Sequence, residues 1–156
     1  MALGGPRSAA RGGLRPASHR QTVEHIVNAI RRSDADAYAG FFAEGAVLEH
    51  PLAPDPLQGR VAIREGEQAL FDSFSEVEVE LRSLTDDAAT AVAEVVLRAT
   101  HTGPIDLGEG EPLPPTGHRI AVRAVWIFEF GSDGLVAAER DYFDTAAMMA
   151  QLGTGT

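Results

Sequence analysis

The sequence lacks both cysteine and lysine, and each absence excludes a class of chemistry. Without cysteine there are no disulfides, no thiolate nucleophile and no zinc site with cysteine ligands. Without lysine, the chain forms no Schiff base with a carbonyl substrate and has no attachment point for pyridoxal phosphate. These two absences exclude more classes of enzyme for this chain than most of its motifs do.

Long apolar runs are also absent. No stretch approaches the roughly 20 consecutive apolar residues of a membrane span. The arginine-containing start lacks the apolar core of a secretory signal. We therefore expect a cytoplasmic protein. With 156 residues, 44% of them hydrophobic, the chain suits one domain with a substantial core.

Charge is unevenly divided along the chain. Residues 1–20 hold four arginines and no acidic residue, so residues 21–156 carry a net charge of −14 against −10 for the whole chain. Such a surface repels nucleic acid and anionic membranes, and we expect neither as a partner. We expect a disordered basic leader over 1–17, one domain over 18–153 and a short tail over 154–156.

Helix signals come first along the chain. Ser18 and Gln21 fit a capping box, and apolar residues follow at helical spacing. Asp34 or Asp36 can begin a short second helix that turns Tyr38 inward. A third helix begins at Gly59-Arg60, after a proline-rich loop, and a fourth follows Asp144 or Thr145 and ends near Gly153.

Strand patterns fill the rest of the chain. The predicted strands cover residues 46–50, 75–84, 90–101, 120–130 and 135–143. A Gly- and Pro-rich loop over 102–117 is long for a compact domain, which is typical of a lid or of disorder. Helices followed by sequential antiparallel strands predict an α+β fold.

The hairpin over residues 118–144 organises these elements. Its first strand is apolar at every even position, and its turn, Gly131-Ser-Asp-Gly134, suits a tight reversal. Alternation in the returning strand places Glu139 and Asp141 on one face, and Arg140 and Tyr142 on the other. Carboxylates on an otherwise apolar strand need an explanation.

Four stretches in this order resemble the SnoaL-like polyketide cyclases and the limonene-epoxide hydrolases, within the nuclear-transport-factor-two-like superfamily. They are PLAPDPLQGRVAIRE (51–65), PPTGHRIAV (114–122), GLVAAERDYFD (134–144) and MMAQLG (148–153). The resemblance spans residues 21–153. It implies a cystatin-like α+β barrel, in which a cone-shaped, curved antiparallel or mixed sheet wraps around the N-terminal helices and encloses an apolar pocket.

The resemblance also implies a general base. Asp141 matches the aspartate that activates water against an epoxide in the limonene-epoxide-hydrolase group. This sequence departs from that group's remaining pattern, because Arg98 is followed two residues later by Thr100 rather than aspartate. The Tyr-x-Asn pair of the group falls at Val47 and Glu49. The hydrolase alternative therefore requires a rebuilt site, in which Glu49 replaces a missing partner.

The reaction of the SnoaL-like cyclases requires fewer catalytic residues than epoxide hydrolysis does. In that family an acidic residue late in the chain takes and returns a proton during an intramolecular aldol closure, while the pocket folds the substrate. Asp141 and Asp144 both fit this description. Their odd spacing lets only one of them face the pocket of a regular strand. Asp144 can instead cap the last helix, and Asp141 can form a strand-end ion pair with a nearby arginine.

The candidate catalytic residues are therefore Asp141, Glu49, His50, Arg98 and Asp144. Glu49 and His50 can divide acid and base roles at the pocket mouth or form a solvated strand end. The candidate ligand contacts are Tyr38, Trp126, Phe128, His101, His118 and Phe143. The aromatic stripe can equally be core. His101 and His118 flank the long loop but lack metal-ligand spacing, so we expect no metal.

These observations lead to a main hypothesis and two alternatives. The main hypothesis is a small-molecule enzyme of polyketide-cyclase or isomerase type, acting on a hydrophobic, carbonyl-bearing substrate without a cofactor. The alternatives are a non-catalytic ligand-binding or dimerisation module of the same fold, and an epoxide hydrolase with an altered triad. Arg123 and Glu129, on the mixed face of the central strand, suggest a homodimer through the sheet.

Overall fold

The computed structural model of the chain describes residues 17–154. Its elements are α1 (His19–Arg31), α2 (Ala35–Ala39), β1 (Phe42–Glu49), β2 (Leu57–Gln58), α3 (Arg60–Ser73), β3 (Phe74–Asp86), β4 (Thr90–His101), β5 (Arg119–Phe130), β6 (Val136–Phe143) and α4 (Thr145–Gln151). Apart from residue 17, the expected basic leader lies outside the described residues. No helix within 17–154 is both long and apolar enough to cross a membrane.

The first helices begin where the sequence signals place them. Ser18 accepts a hydrogen bond from the Gln21 N–H, and the Gln21 side chain accepts one from the Ser18 N–H, which completes a capping box. Asp34, not Asp36, caps α2. The predicted strand over 46–50 is too short, because α2 ends at a Gly40 C-cap and β1 begins at Phe42.

The strands form one six-stranded sheet in the order β2-β1-β6-β5-β4-β3. All neighbours pair antiparallel except β1 and β6, which run parallel. This mixed, curved sheet, with helices against it, confirms the predicted α+β cone. The two-residue strand β2 was not predicted, because it lies within a proline-rich stretch with no period of its own.

A bend in β3 helps curl the sheet. The register against β4 shifts between Ser75 and Glu78, and Glu76 takes a positive φ of 51° within that interval. A bulge of this kind bends a strand and increases its twist. Val77 then joins the wall of an interior cavity.

The core lies between α1 and the inner face of the sheet. Val23, Ile26 and Val27 of α1 are buried against residues of β4 and β5 that include Val95 and Phe128. A second, smaller cluster joins Met148 and Leu152 of α4 to the far ends of β4 and β5. The two clusters leave a cavity between them, and the polar residues of that cavity are described next.

Candidate active site

The cavity has a volume of about 110 Å³. Most of its wall is apolar, with contributions from Phe74, Leu97, Val122, Trp126 and Met148. Five lining residues carry groups that can exchange protons: Tyr38, His50, Glu67, Glu139 and Asp141. An apolar pocket with a few converging polar groups is the usual form of a small-molecule site.

Glu139 is the most deeply buried of these acids, with 2% of its surface exposed. It lies on β6 and accepts a hydrogen bond of 2.8 Å from the Tyr38 hydroxyl of α2. Burial raises the pKa of Glu139 to about 7, although hydrogen bonds from Asp141 and Tyr38 act in the opposite direction. A carboxyl in this state gains or loses a proton near neutral pH.

Asp141 lies two residues further along β6, on the same face. Its side chain is 9% exposed, and its Oδ1 has no N–H or O–H donor among the described residues. The Glu139 carboxyl is its ionisable neighbour and acts on the pKa of Asp141 through charge and hydrogen bonding. Two carboxyls so coupled are most stable with one proton between them, and we interpret the pair as singly protonated.

The pKa shifts of the two carboxyls indicate which of them holds the proton. Burial, followed by the negative charge of Glu139, raises the pKa of Asp141 well above its usual value. The Tyr38 hydroxyl favours the ionised form of Glu139. These directions favour Asp141 as the protonated member of the pair and Glu139 as the carboxylate.

His50 and Glu67 complete the polar part of the wall. The His50 Nδ1 accepts a hydrogen bond from the Leu52 N–H, so a neutral ring carries its proton on Nε2, which lies 4.0 Å from Asp141 Oδ2. Burial lowers the pKa of His50 to about 4. Burial, followed by the charge of Glu139, raises the pKa of Glu67 to about 8.

Five of the eleven residues singled out from the sequence line the cavity: Asp141, His50, Tyr38, Trp126 and Phe143. The pairing of Trp126 with Asp141 across β5 and β6 brings two of them side by side. The T-shaped contact of Phe143 with His50, at 5.4 Å between ring centroids, fixes the imidazole ring. Their roles remain predictions, but the structure brings them together.

The other expected catalytic residues lie outside the cavity wall. Glu49 is exposed because its strand neighbour Leu48 takes the inward position. Arg98 pairs with Glu80 at 3.1 Å on the outer face of the sheet. Asp144 is exposed and caps α4 by accepting a hydrogen bond of 2.9 Å from the Ala147 N–H.

The remaining expected ligand contacts are structural. Phe128 is fully buried in the main core, so the core interpretation applies to this member of the aromatic stripe. His101 is also fully buried, and its Nδ1 accepts a hydrogen bond of 3.1 Å from the Thr116 N–H. His118 is exposed and lies 3.2 Å from the Gln151 carbonyl.

Sequence reasoning missed Glu67 and Glu139 as site residues. The signal for Glu139 was present, because alternation placed it on the same face as Asp141. Glu67 gave a weaker signal, since it follows the buried Ile63 by one helical turn. Among residues 17–154, no group of three or more His, Asp or Glu side chains is arranged to hold a metal ion.

The family model for the SnoaL-like domain matches residues 23–139. The chain belongs to the SnoaL-like domain family. The match spans most of the chain and ends on Glu139, so Asp141 of this SnoaL-like domain lies two residues beyond the matched region. No functionally curated protein sequence matches the chain significantly.

Solved structures agree with this assignment. TsrD from Streptomyces laurentii is 25% identical, with a TM-score of 0.74, over 91% of this chain and 99% of that one. A protein classed as a SnoaL-like polyketide cyclase, from Jannaschia sp. CCS1, is 20% identical, with a TM-score of 0.76, over 88% and 93%. An LEH-like epoxide hydrolase from M. tuberculosis is 20% identical, with a TM-score of 0.66, over 88% and 90%. The last two show a shared fold alone.

Proposed function

We propose that this SnoaL-like domain is an enzyme of polyketide-cyclase or isomerase type that moves a proton on a hydrophobic, carbonyl-bearing substrate. The observation that supports the proposal is the pair of carboxyls, Glu139 and Asp141, which lie together in the wall of an apolar cavity and whose pKa values are both raised by burial. Such a pair holds one proton and one negative charge, so it can both accept and donate.

The proton transfer uses the pair as a unit. As the substrate gives up the proton on the carbon next to its carbonyl, Asp141 accepts that proton on one oxygen and passes its own proton from the other oxygen to the Glu139 carboxylate, so the negative charge of Glu139 is neutralised. In an aldol closure the resulting carbanion attacks a second carbonyl of the same molecule. The pair then returns the proton to the new alkoxide. In an isomerisation it returns the proton to a different carbon, and neither route requires a metal or an organic cofactor.

Two neighbours support this chemistry. The Tyr38 hydroxyl, 2.8 Å from Glu139 Oε2, stabilises the Glu139 carboxylate, which is present before the proton is taken and again after it is returned. The apolar wall folds the substrate and excludes water, which strengthens each of these interactions. Tyr38 acts through Glu139 and is therefore a positioning residue.

An epoxide-opening reaction is the second candidate. The protonated carboxyl can donate to an epoxide oxygen while the ionised one activates a nucleophile, and one structural neighbour is named as an epoxide hydrolase. Arg98, the arginine that the resemblance suggests for this reaction, is absent from the cavity wall, because it faces outward and pairs with Glu80. Incorporation of oxygen-18 from water into a diol would identify hydrolysis, since aldol closure incorporates none.

The test compares Asp141→Asn with Asp144→Asn. Both variants replace one carboxylate by an amide, and asparagine preserves the helix cap at position 144. We expect Asp141→Asn to lower turnover by about a hundredfold or more, with the fold intact, and Asp144→Asn to keep wild-type turnover. Full activity of Asp141→Asn would refute the proposal and favour a binding module.

A further inference from the structure

Glu67 is the one carboxyl of the cavity that the proposed proton transfer does not use. It reaches the cavity from α3, whereas Glu139 and Asp141 belong to β6. No basic side chain within residues 17–154 forms an ion pair with it. An acid kept in an apolar wall without a partner is costly to the fold, so its presence needs a reason.

The cavity contains three acids and no cation. Among the described residues, the only basic side chain within 4.0 Å of any of these carboxyls is His50. Burial keeps its ring neutral by lowering the pKa of His50 to about 4. The chain has no lysine that could serve instead. The site thus lacks a positive charge of its own.

The cavity also has an oxygen that no donor reaches. Asp141 Oδ1 is buried without an N–H or O–H partner in the described part of the chain, on a side chain that is 9% exposed. A ligand with N–H groups would supply what the wall does not. Trp126 and Phe74 line the same space, and aromatic faces attract cations.

The surface near the cavity repeats this charge pattern. Leu52 lines the cavity and packs against the smaller core cluster, to which Ile105 of the long loop belongs. Gly108 of the same loop lies against Pro54. The loop of residues 51–58 thus contributes Leu52 to the cavity wall, and the loop of residues 102–117 lies against it. They carry only acidic charges, at Asp55, Asp106, Glu109 and Glu111.

We propose that the ligand of this cavity carries a basic nitrogen and binds as its ammonium ion against Glu67. The inference rests on the proposed function and adds a substrate class: an apolar carbonyl compound that also bears an amine. Glu67 is protonated in the empty cavity, gives its proton to the entering amine and then holds the positive charge as a carboxylate, while Asp141 exchanges the proton of the substrate carbon. Acidic substrates are excluded, because their carboxylates meet like charge at the loops and inside the cavity.

The experiment uses three probes of nearly the same shape: tert-butylamine, tert-butanol and pivalate. Binding to the full chain is followed by the NMR shift of the indole N–H of Trp126, the only tryptophan of the sequence. We expect the amine to bind about tenfold or more tightly than the alcohol, and pivalate to give no saturable shift. This readout requires no turnover.

Glu67→Gln isolates the proposed residue. We expect this variant to lose most of the preference for the amine and to keep the wild-type affinity for tert-butanol. Glu65→Gln is the matched control, because Glu65 is exposed on the same helix, and it should keep the full preference.

Equal binding of amine and alcohol by the wild type, or no saturable binding of the amine, would overturn the amine assignment. An undiminished preference in Glu67→Gln would overturn the role of Glu67. Either result leaves the proposed function standing, since that depends on the turnover of Asp141→Asn.

Discussion

Glu67 makes the stability of the domain depend on pH, and Glu67→Gln should remove the part of that dependence that Glu67 contributes. The folded domain holds the Glu67 proton up to about pH 8, because burial raises the pKa of this group from 4.5. The unfolded chain releases the same proton near 4.5. The group therefore favours the folded state at low pH, and its contribution is lost as pH rises through 8.

The size of this effect follows from the two pKa values. Between about pH 5 and pH 9 the wild type should lose about 4 kcal/mol through Glu67, at about 1.4 kcal/mol for each pKa unit. This figure is an upper bound, because the side chain is half-buried and the cavity admits some solvent. Glutamine has nearly the same shape and no proton to lose.

The assay is urea unfolding of both proteins at several pH values. We expect the free energy of unfolding of the wild type to fall relative to Glu67→Gln as pH rises, by about 2 to 4 kcal/mol over this range. Glu65→Gln, which changes an exposed acid of the same helix, should follow the wild type. Parallel curves for wild type and Glu67→Gln would refute the claim that Glu67 is held protonated in the fold.

Three further predictions concern the neighbours of the carboxyl pair and the outer face of the sheet. Tyr38→Phe removes a hydrogen bond that lowers the pKa of Glu139, so the acid limb of the pH–rate profile should move to higher pH; an unmoved limb would count against the relay. Arg98→Ala should keep kcat/KM within about twofold, because its partner Glu80 lies outside the cavity; a larger loss would return Arg98 to the site. The homodimer through the sheet remains a proposal. Tyr142 is 53% exposed on the outer face, so we expect Tyr142→Glu to convert a dimer into a monomer in analytical ultracentrifugation. An unchanged dimer would place the interface elsewhere.

The sequence predicted those features that depend on residues close together in the chain, such as helix caps, strand alternation and turns. The capping box at Ser18 and Gln21 fixes the start of α1 whatever surrounds it. Alternation along β6 placed Glu139 and Asp141 on one face, because side chains in a strand alternate with a period of two. Gly134, with a φ of 79°, closes the β5–β6 hairpin as its turn sequence indicated.

The missed features depend on contacts between distant segments. Glu67 resembles any helical glutamate until the fold places it beside Glu139 in an apolar wall. Arg98 was judged from its position in a motif, but its partner Ala121 on β5 faces outward, and so does Arg98. Glu49 and His50 are adjacent in the sequence, which does not show which of them faces the cavity. In the fold β1 ends at the exposed Glu49, and His50 just after it lines the cavity.

The central claim is that Glu139 and Asp141 share a proton in the cavity. Its most direct test is a pH titration of the full chain, followed by the ¹³C signals of these two side-chain carboxyls, with Asp141→Asn to assign them. We predict that Glu139 titrates near pH 7 and that Asp141 releases its proton well above its usual range. Titration of both groups near their ordinary values of 4.5 and 3.8 would contradict the account.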